Sequence, residues 1–210
     1  MESSSASELL PAVRNELEQY RQLANLLIDA CATDIFRAAE LVVQTVSSNR
    51  RIFVAGNGGS SSQADHIAAE FVGRFRQERS PYPAMSLATS IASMTAIGND
   101  YGYEFVFERQ LAAHGRPGDM LIALSTSGKS ENIIRLLEAA MAVGIKSITL
   151  TGNSADGVRN LSTVTVSVPS SDTARIQEAH LLMGHILAFV GEKAIHSARR
   201  LQDEDGGSRS

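Results

Sequence analysis

The chain opens on a helical rhythm. From about Glu8 to Ala30, apolar residues recur three and four apart, at Leu9, Leu10, Val13, Leu17, Tyr20, Leu23, Leu26 and Leu27. That spacing draws one broad stripe along a helix. A second helix, about Thr33 to Ser47, is expected to bury Ile35, Ala38, Ala39, Val42 and Val46. These helices can pack on a sheet, but the stripe of the first suits a contact between subunits. The rhythm then shortens. Ile52-Phe53-Val54-Ala55 is a compact run of strand formers. Further strands are expected at Ala84–Leu87, Met120–Leu124, Ile145–Leu150 and Val164–Val168. Helices are expected near Ile91–Ile97, Glu104–Ala113, Asn132–Val143 and Ala155–Asn160, with a long final helix over Ala174–His196. Strands alternating with helices predict an α/β fold, a five-stranded parallel sheet flanked by helices in three layers. Residues 1–6 and 200–210 are mostly small or polar and are expected to be disordered, leaving one domain over 7–199.

Composition narrows the function classes. The chain has 210 residues, 43% of them hydrophobic and 20% charged, enough to bury a full core. A net charge of −4 argues against an extended nucleic-acid or acidic-membrane surface. Cys31 is the single cysteine, so no internal disulfide forms and a reducing, cytoplasmic setting is expected. It sits within an amphipathic helical stretch and reads as a core thiol. The N-terminus lacks a basic region followed by an apolar run, so no secretory signal is expected. No apolar run approaches the ~18 residues of a membrane span.

Candidate chemistry gathers at strand ends. The first strand runs into Gly56-Asn57-Gly58-Gly59-Ser60-Ser61, a loop with almost no side-chain bulk, and then into a helix. Glycines let backbone N–H groups approach a ligand, and a helix N-terminus favours an anion such as phosphate. The spacing matches neither a P-loop nor the full dinucleotide fingerprint. A second such loop, Ser125-Thr126-Ser127-Gly128-Lys129-Ser130, leaves the third strand and opens another helix. Four hydroxyls exceed what one helix cap needs and suit a multidentate phosphate site. On the helix after the first loop, His66 and Glu70 lie four apart on one face, residue types used for acid–base work and for zinc. Arg74 continues that face one turn on and suits a phosphate or carboxylate. The final helix carries Gln177, Glu178, His180 and His185. Gln177 and His185 stand about 12 Å apart along a helix axis, so one ion joins them only if both side chains reach toward it.

Four motifs in order, Gly56-Asn57-Gly58-Gly59-Ser60, Gly98-Asn99-Asp100, Ser125-Thr126-Ser127-Gly128-Lys129-Ser130 and Arg175-Ile176-Gln177-Glu178-x-His180, resemble the SIS (sugar isomerase) domain and, within it, the phosphoheptose isomerase family. The resemblance runs from about Leu10 to Glu192. It implies a flavodoxin-like sandwich and a homotetramer with sites at subunit interfaces. The activity it implies is interconversion of sedoheptulose 7-phosphate and D-glycero-D-manno-heptose 7-phosphate through an enediol, the first step of ADP- or GDP-heptose biosynthesis. The implied substrate contacts are Asn57, Gly58, Gly59, Glu70, Asn99, Asp100, Ser125, Thr126, Ser127, Ser130 and Gln177, to which the loop and the helix face add Ser60 and Arg74 as candidates. Glu70 and His185 would be catalytic. His66, Glu70, Gln177 and His185 would hold one zinc ion per subunit. Some members carry an aspartate at the position of Ala174, and Asp172 lies two residues before it. Three readings stand beside this one: a non-catalytic SIS protein that binds the bacterial replication initiator, a sugar-phosphate-sensing regulatory module, and an isomerase of another sugar phosphate. The first lacks the carboxylate and distal histidine that Glu70 and His185 supply. The second usually carries a DNA-binding segment that the first fifty residues do not resemble.

Overall fold

The structure, a computed structural model, describes the backbone of residues 5–207 and the side chains of residues 9–197. Helix α1 (Ser5–Ser47) is one uninterrupted helix of 43 residues, where two were expected. The expected break falls at Cys31 and Ala32, neither of which stops a helix, and no proline or glycine lies there. The order then runs β1 (Ile52–Gly56), α2 (Gly59–Val72), β2 (Ala84–Ser86), α3 (Ile91–Asp100), α4 (Glu108–His114), β3 (Met120–Ser125), α5 (Glu131–Ala142), β4 (Lys146–Thr151), α6 (Asp156–Arg159), β5 (Val164–Ser167) and α7 (Thr173–Gly207). The helix expected over Glu104–Ala113 is split, because Val106 and Phe107 turn fully into the core between a 3-10 turn at Tyr103–Phe105 and α4. Helix α7 passes its expected end and continues through 200–207, where a disordered tail was expected. The stretch Ser197–Asp205 holds no proline or glycine to stop it. The disorder expected at 1–4 and 208–210 lies outside the described residues.

All five strands are parallel, in the order β2-β1-β3-β4-β5. Their faces alternate as the two-residue period requires. Ile52, Val54, Ile122 and Ile148 point to the layer of α1, α2 and α7, while Phe53, Ala55, Leu121 and Ala123 point to the layer of α4 and α5. Both faces are therefore buried, which explains the near-continuous apolar strands. Chain direction across the sheet reverses between β1 and β3. At such a switch point the loops after the two strands part to opposite faces and leave a crevice. The pairing of Gly56 with Leu124 brings the ends of β1 and β3 level there.

Cys31 is 1% exposed, and its thiol donates to the Ser167 carbonyl at 3.3 Å. Burial pushes its pKa up, as for an inert core thiol. Leu23 and Leu27 of the α1 stripe are buried, whereas Leu9, Leu10, Val13, Leu17, Tyr20, Leu26, Ile28 and Phe36 are exposed. No helix among the described residues is long and apolar enough to cross a membrane.

Candidate active site

Two structures meet at the carboxyl edge of the sheet. The first is the pair of loops at the switch point. Neither Gly58, before α2, nor Ser130, before α5, makes a side-chain cap. The Ser130 hydroxyl instead faces Ser125 Oγ at 3.3 Å, and Ser127 Oγ accepts from the Lys129 N–H at 3.2 Å. The N–H groups of Ile133 and Ile134 donate to the Ser130 carbonyl at 3.0 Å, which leaves those of Glu131 and Asn132 open to an anion, with hydroxyls beside them. Gly128 closes the loop with φ of 64°, a left-handed conformation, and a Cβ there would stand 2.2 Å from the Ser154 carbonyl oxygen. Ser60 is buried, Thr126 half-buried, and Ser127 and Lys129 exposed. Thr126, Ser127, Lys129, Asn153 and Ser154, with Ile176, line a cleft of about 230 Å³.

The loops are locked through Asn57 by two residues that sequence reasoning missed, Asn132 and Tyr103. Asn57 and Asn132 exchange two amide hydrogen bonds, each 2.8 Å, and Tyr103 donates to Asn57 Oδ1 at 3.0 Å. Asn132 is 3% exposed on the stripe that also carries Leu136. A polar residue on an apolar stripe was the available signal.

The second structure is a three-residue cluster. His66 and Glu70 project from α2 and His185 from α7. His66 Nε2 lies 3.0 Å from His185 Nε2 and 3.2 Å from Glu70 Oε1. One donor atom from each residue falls within 4.8 Å of the others. Zinc is held by two imidazoles and a carboxylate at about 2.0–2.2 Å, and the convergence of these donors fits such an ion. Gly184 makes the approach possible, since a Cβ there would meet the Ile67 side chain at 2.5 Å. The cluster sits seven residues along α2 from Gly59, about 10 Å by the helical rise.

Gln177 is placed at the loops. A Cβ on Gly59 would stand 2.8 Å from its Nε2, and its backbone carbonyl accepts from Gln63 at 2.6 Å. Asn99 and Asp100 sit exposed at the end of α3, where Asn99 donates to Asp100 at 2.8 Å. Arg74 is not brought to the cluster within the chain. It lies past the end of α2, and its exposed side chain faces Glu78 at 3.9 Å, because Gly73 ends the helix and with it the face. Asp172 caps α7, accepting from the Ala174 N–H at 2.8 Å, so no carboxylate stands at position 174. His180 is fully buried. Burial pulls its pKa down to about 4, with the Thr151 backbone acting weakly the other way and no well-formed hydrogen bond at either ring nitrogen.

Comparison with known proteins gives the same picture. Residues 17–152 match the SIS domain family. A phosphoheptose isomerase of Rhodospirillum rubrum is 43% identical over 80% of this chain and 89% of its own. That of Aquifex aeolicus is 39% identical over 89% of this chain and 98% of its own. The structure of a phosphoheptose isomerase from Neisseria gonorrhoeae superposes with a TM-score of 0.83 at 34% identity, covering 88% of this chain and 99% of that one. The chain belongs to the SIS-domain family and, within it, to the phosphoheptose isomerases.

Proposed function

We propose that this protein interconverts sedoheptulose 7-phosphate and D-glycero-D-manno-heptose 7-phosphate. The observation that carries the reading is the convergence of His66, Glu70 and His185 about two helical turns along α2 from the Gly58–Gly59 loop, at the same sheet edge as the Ser125–Ser130 loop. An extended seven-carbon sugar can rest its phosphate on the Ser125–Ser130 loop and present its C1–C2 end to the cluster. Asn57, Gly58, Gly59, Ser60 and Gln177 would hold the chain between, with Asn99 and Asp100 closing over it.

Glu70 removes the proton from the carbon beside the carbonyl. His185 delivers a proton to the carbonyl oxygen, giving a cis-enediol. Return of the first proton to the neighbouring carbon, while the deprotonated His185 takes the proton of the hydroxyl on the first carbon, forms the new carbonyl and completes the isomerisation. A carboxylate suits the base because it can accept a proton within hydrogen-bond reach of the reacting carbon. Zinc on His66, Glu70 and His185, with Gln177 as a further ligand, would polarise the carbonyl. A Glu70 that also ligates the ion is a weaker base, so the two roles compete. The exposed stripe Leu9, Leu10, Val13 and Leu17 supports a homotetramer. The buried Cys31 fits a cytoplasmic setting, and the product would enter nucleotide-activated heptose synthesis.

The test is conversion of sedoheptulose 7-phosphate by purified protein, with and without a zinc chelator. Turnover lost on chelation and restored by zinc is expected. Turnover indifferent to chelation would remove the metal and keep the isomerase. No turnover from folded, zinc-supplied protein would overturn the reading.

A further inference from the structure

The connection between α2 and β2 is held by two buried charges that no step above uses. Glu192, 2% exposed on α7, accepts three successive backbone N–H groups, from Phe75 at 3.0 Å, Arg76 at 2.9 Å and Gln77 at 3.0 Å. Its Oε1 lies 3.6 Å from Nε of Arg79, whose side chain is 1% exposed. Arg79 Nη2 donates to the Glu70 carbonyl at 2.6 Å, and Nη1 to that of Ser80 at 3.0 Å. Burying two charges is expensive, and a well-packed apolar pair often serves stability as well. What the charges add is geometry. Glu192 stands seven residues after His185, so both share one face of α7. The turn pinned by Glu192 lays the Phe75 ring on His185, with centroids 5.6 Å apart. Arg79 meanwhile holds the backbone of Glu70 at the last turn of α2, where carbonyls lack helical partners.

We infer that Glu192 and Arg79 are positioning residues that fix Glu70 and His185 relative to each other, with Phe75 as the contact that orients the His185 ring. The pair grips one cluster residue through its backbone and the other through a tilted ring contact. The kinetic part of this inference rests on the isomerase reading, and the metal-binding part does not.

The test uses the full chain and four proteins: wild type, Glu192→Gln, Phe75→Leu and Leu137→Ala. A glutamine amide accepts at one atom only, so it must abandon either Phe75 or the Arg76 and Gln77 pair. Phe75→Leu leaves the Glu192 contacts in place and removes the ring, so it reads the same geometry should Glu192→Gln fail to fold. Leu137→Ala opens the core on the opposite face of the sheet. Each protein is titrated with Co²⁺, followed by its visible absorption, and assayed for kcat and KM. Per folded chain, Glu192→Gln and Phe75→Leu should bind Co²⁺ about 10–100-fold more weakly and lose kcat by a similar factor, the range for partners that orient ligands, with KM little changed. Leu137→Ala should keep both values. Wild-type Co²⁺ affinity and kcat in folded Glu192→Gln, or in Phe75→Leu if the first does not fold, would overturn the inference. An equal loss in Leu137→Ala would also overturn it, by reducing the effect to general destabilisation. A wild type that binds Co²⁺ without turnover, and loses that affinity in Glu192→Gln, would sink the isomerase reading and keep this one.

Discussion

The two halves of the site are built in opposite ways. The phosphate-loop half is local. Ser125 to Ser130 are consecutive, their hydroxyls and N–H groups belong to one turn, and Gly128 sets its shape. The cluster is assembled from afar. His66 and His185 are 119 residues apart in sequence and meet only because α2 and α7 pack closely at Gly184. A local site tolerates small shifts in helix packing. An assembled one does not, because a shift of one ångström between helices separates its donors. Binding should therefore be governed by the loops and turnover by the α2–α7 contact.

The largest separation of the two should come from Glu70→Gln. Loss of the base predicts a fall in kcat of about 10³-fold, within the usual range for acid–base groups, in a folded protein. Steady-state rates with circular dichroism check it, and near-normal activity would remove Glu70 from its role. Next is Gly184→Ala. Its new methyl must displace Ile67, moving α7 from α2, so kcat should fall at least tenfold while phosphate binding at the loops persists. Inorganic phosphate inhibition, measured beside turnover, distinguishes the outcomes, and equal losses in both would erase the contrast.

Gly128→Ala should act the other way. A left-handed φ costs an alanine about 1–2 kcal/mol, and the clash with Ser154 adds to it, so affinity for phosphate should drop while the Co²⁺ site of the cluster survives. A further effect, on stability rather than on the site, is expected with pH. His180 is buried neutral, so above its ordinary value of 6.5 it contributes no penalty. As pH falls from 6.5 toward about 4, the unfolded chain takes up a proton that the folded chain refuses. Stability should drop by about 3 kcal/mol across that window. Urea unfolding of wild type and His180→Leu, at one protein concentration, should show a shallower loss in the variant. Parallel curves would exclude His180 as the cause.

The same contrast explains what was legible in the sequence. The strands, their order along the chain and both glycine–serine loops show in local patterns, because a parallel sheet buried on both faces writes apolar runs and its loops write small residues. The pairing of His66 with Glu70 is local too. The arrival of His185 beside them depends on packing that no local window contains, and came only from family resemblance. Arg74 shows the limit of helical spacing: one turn beyond Glu70 on paper, it lies past the Gly73 helix end and leaves the face. The unbroken α1 shows the reverse, a boundary read where no residue stops a helix. Asn132 and Glu192 are each a polar residue on an apolar stripe, a signal that was missed and that in any case does not say what each one holds.

The most direct test of the division between holding and reacting is calorimetric titration of sedoheptulose 7-phosphate into Glu70→Gln. The account predicts binding within a few-fold of the wild-type KM, with no aldose formed during the titration. A folded variant that neither binds nor converts the sugar would contradict it, because Glu70 would then belong to the part of the site that holds the substrate.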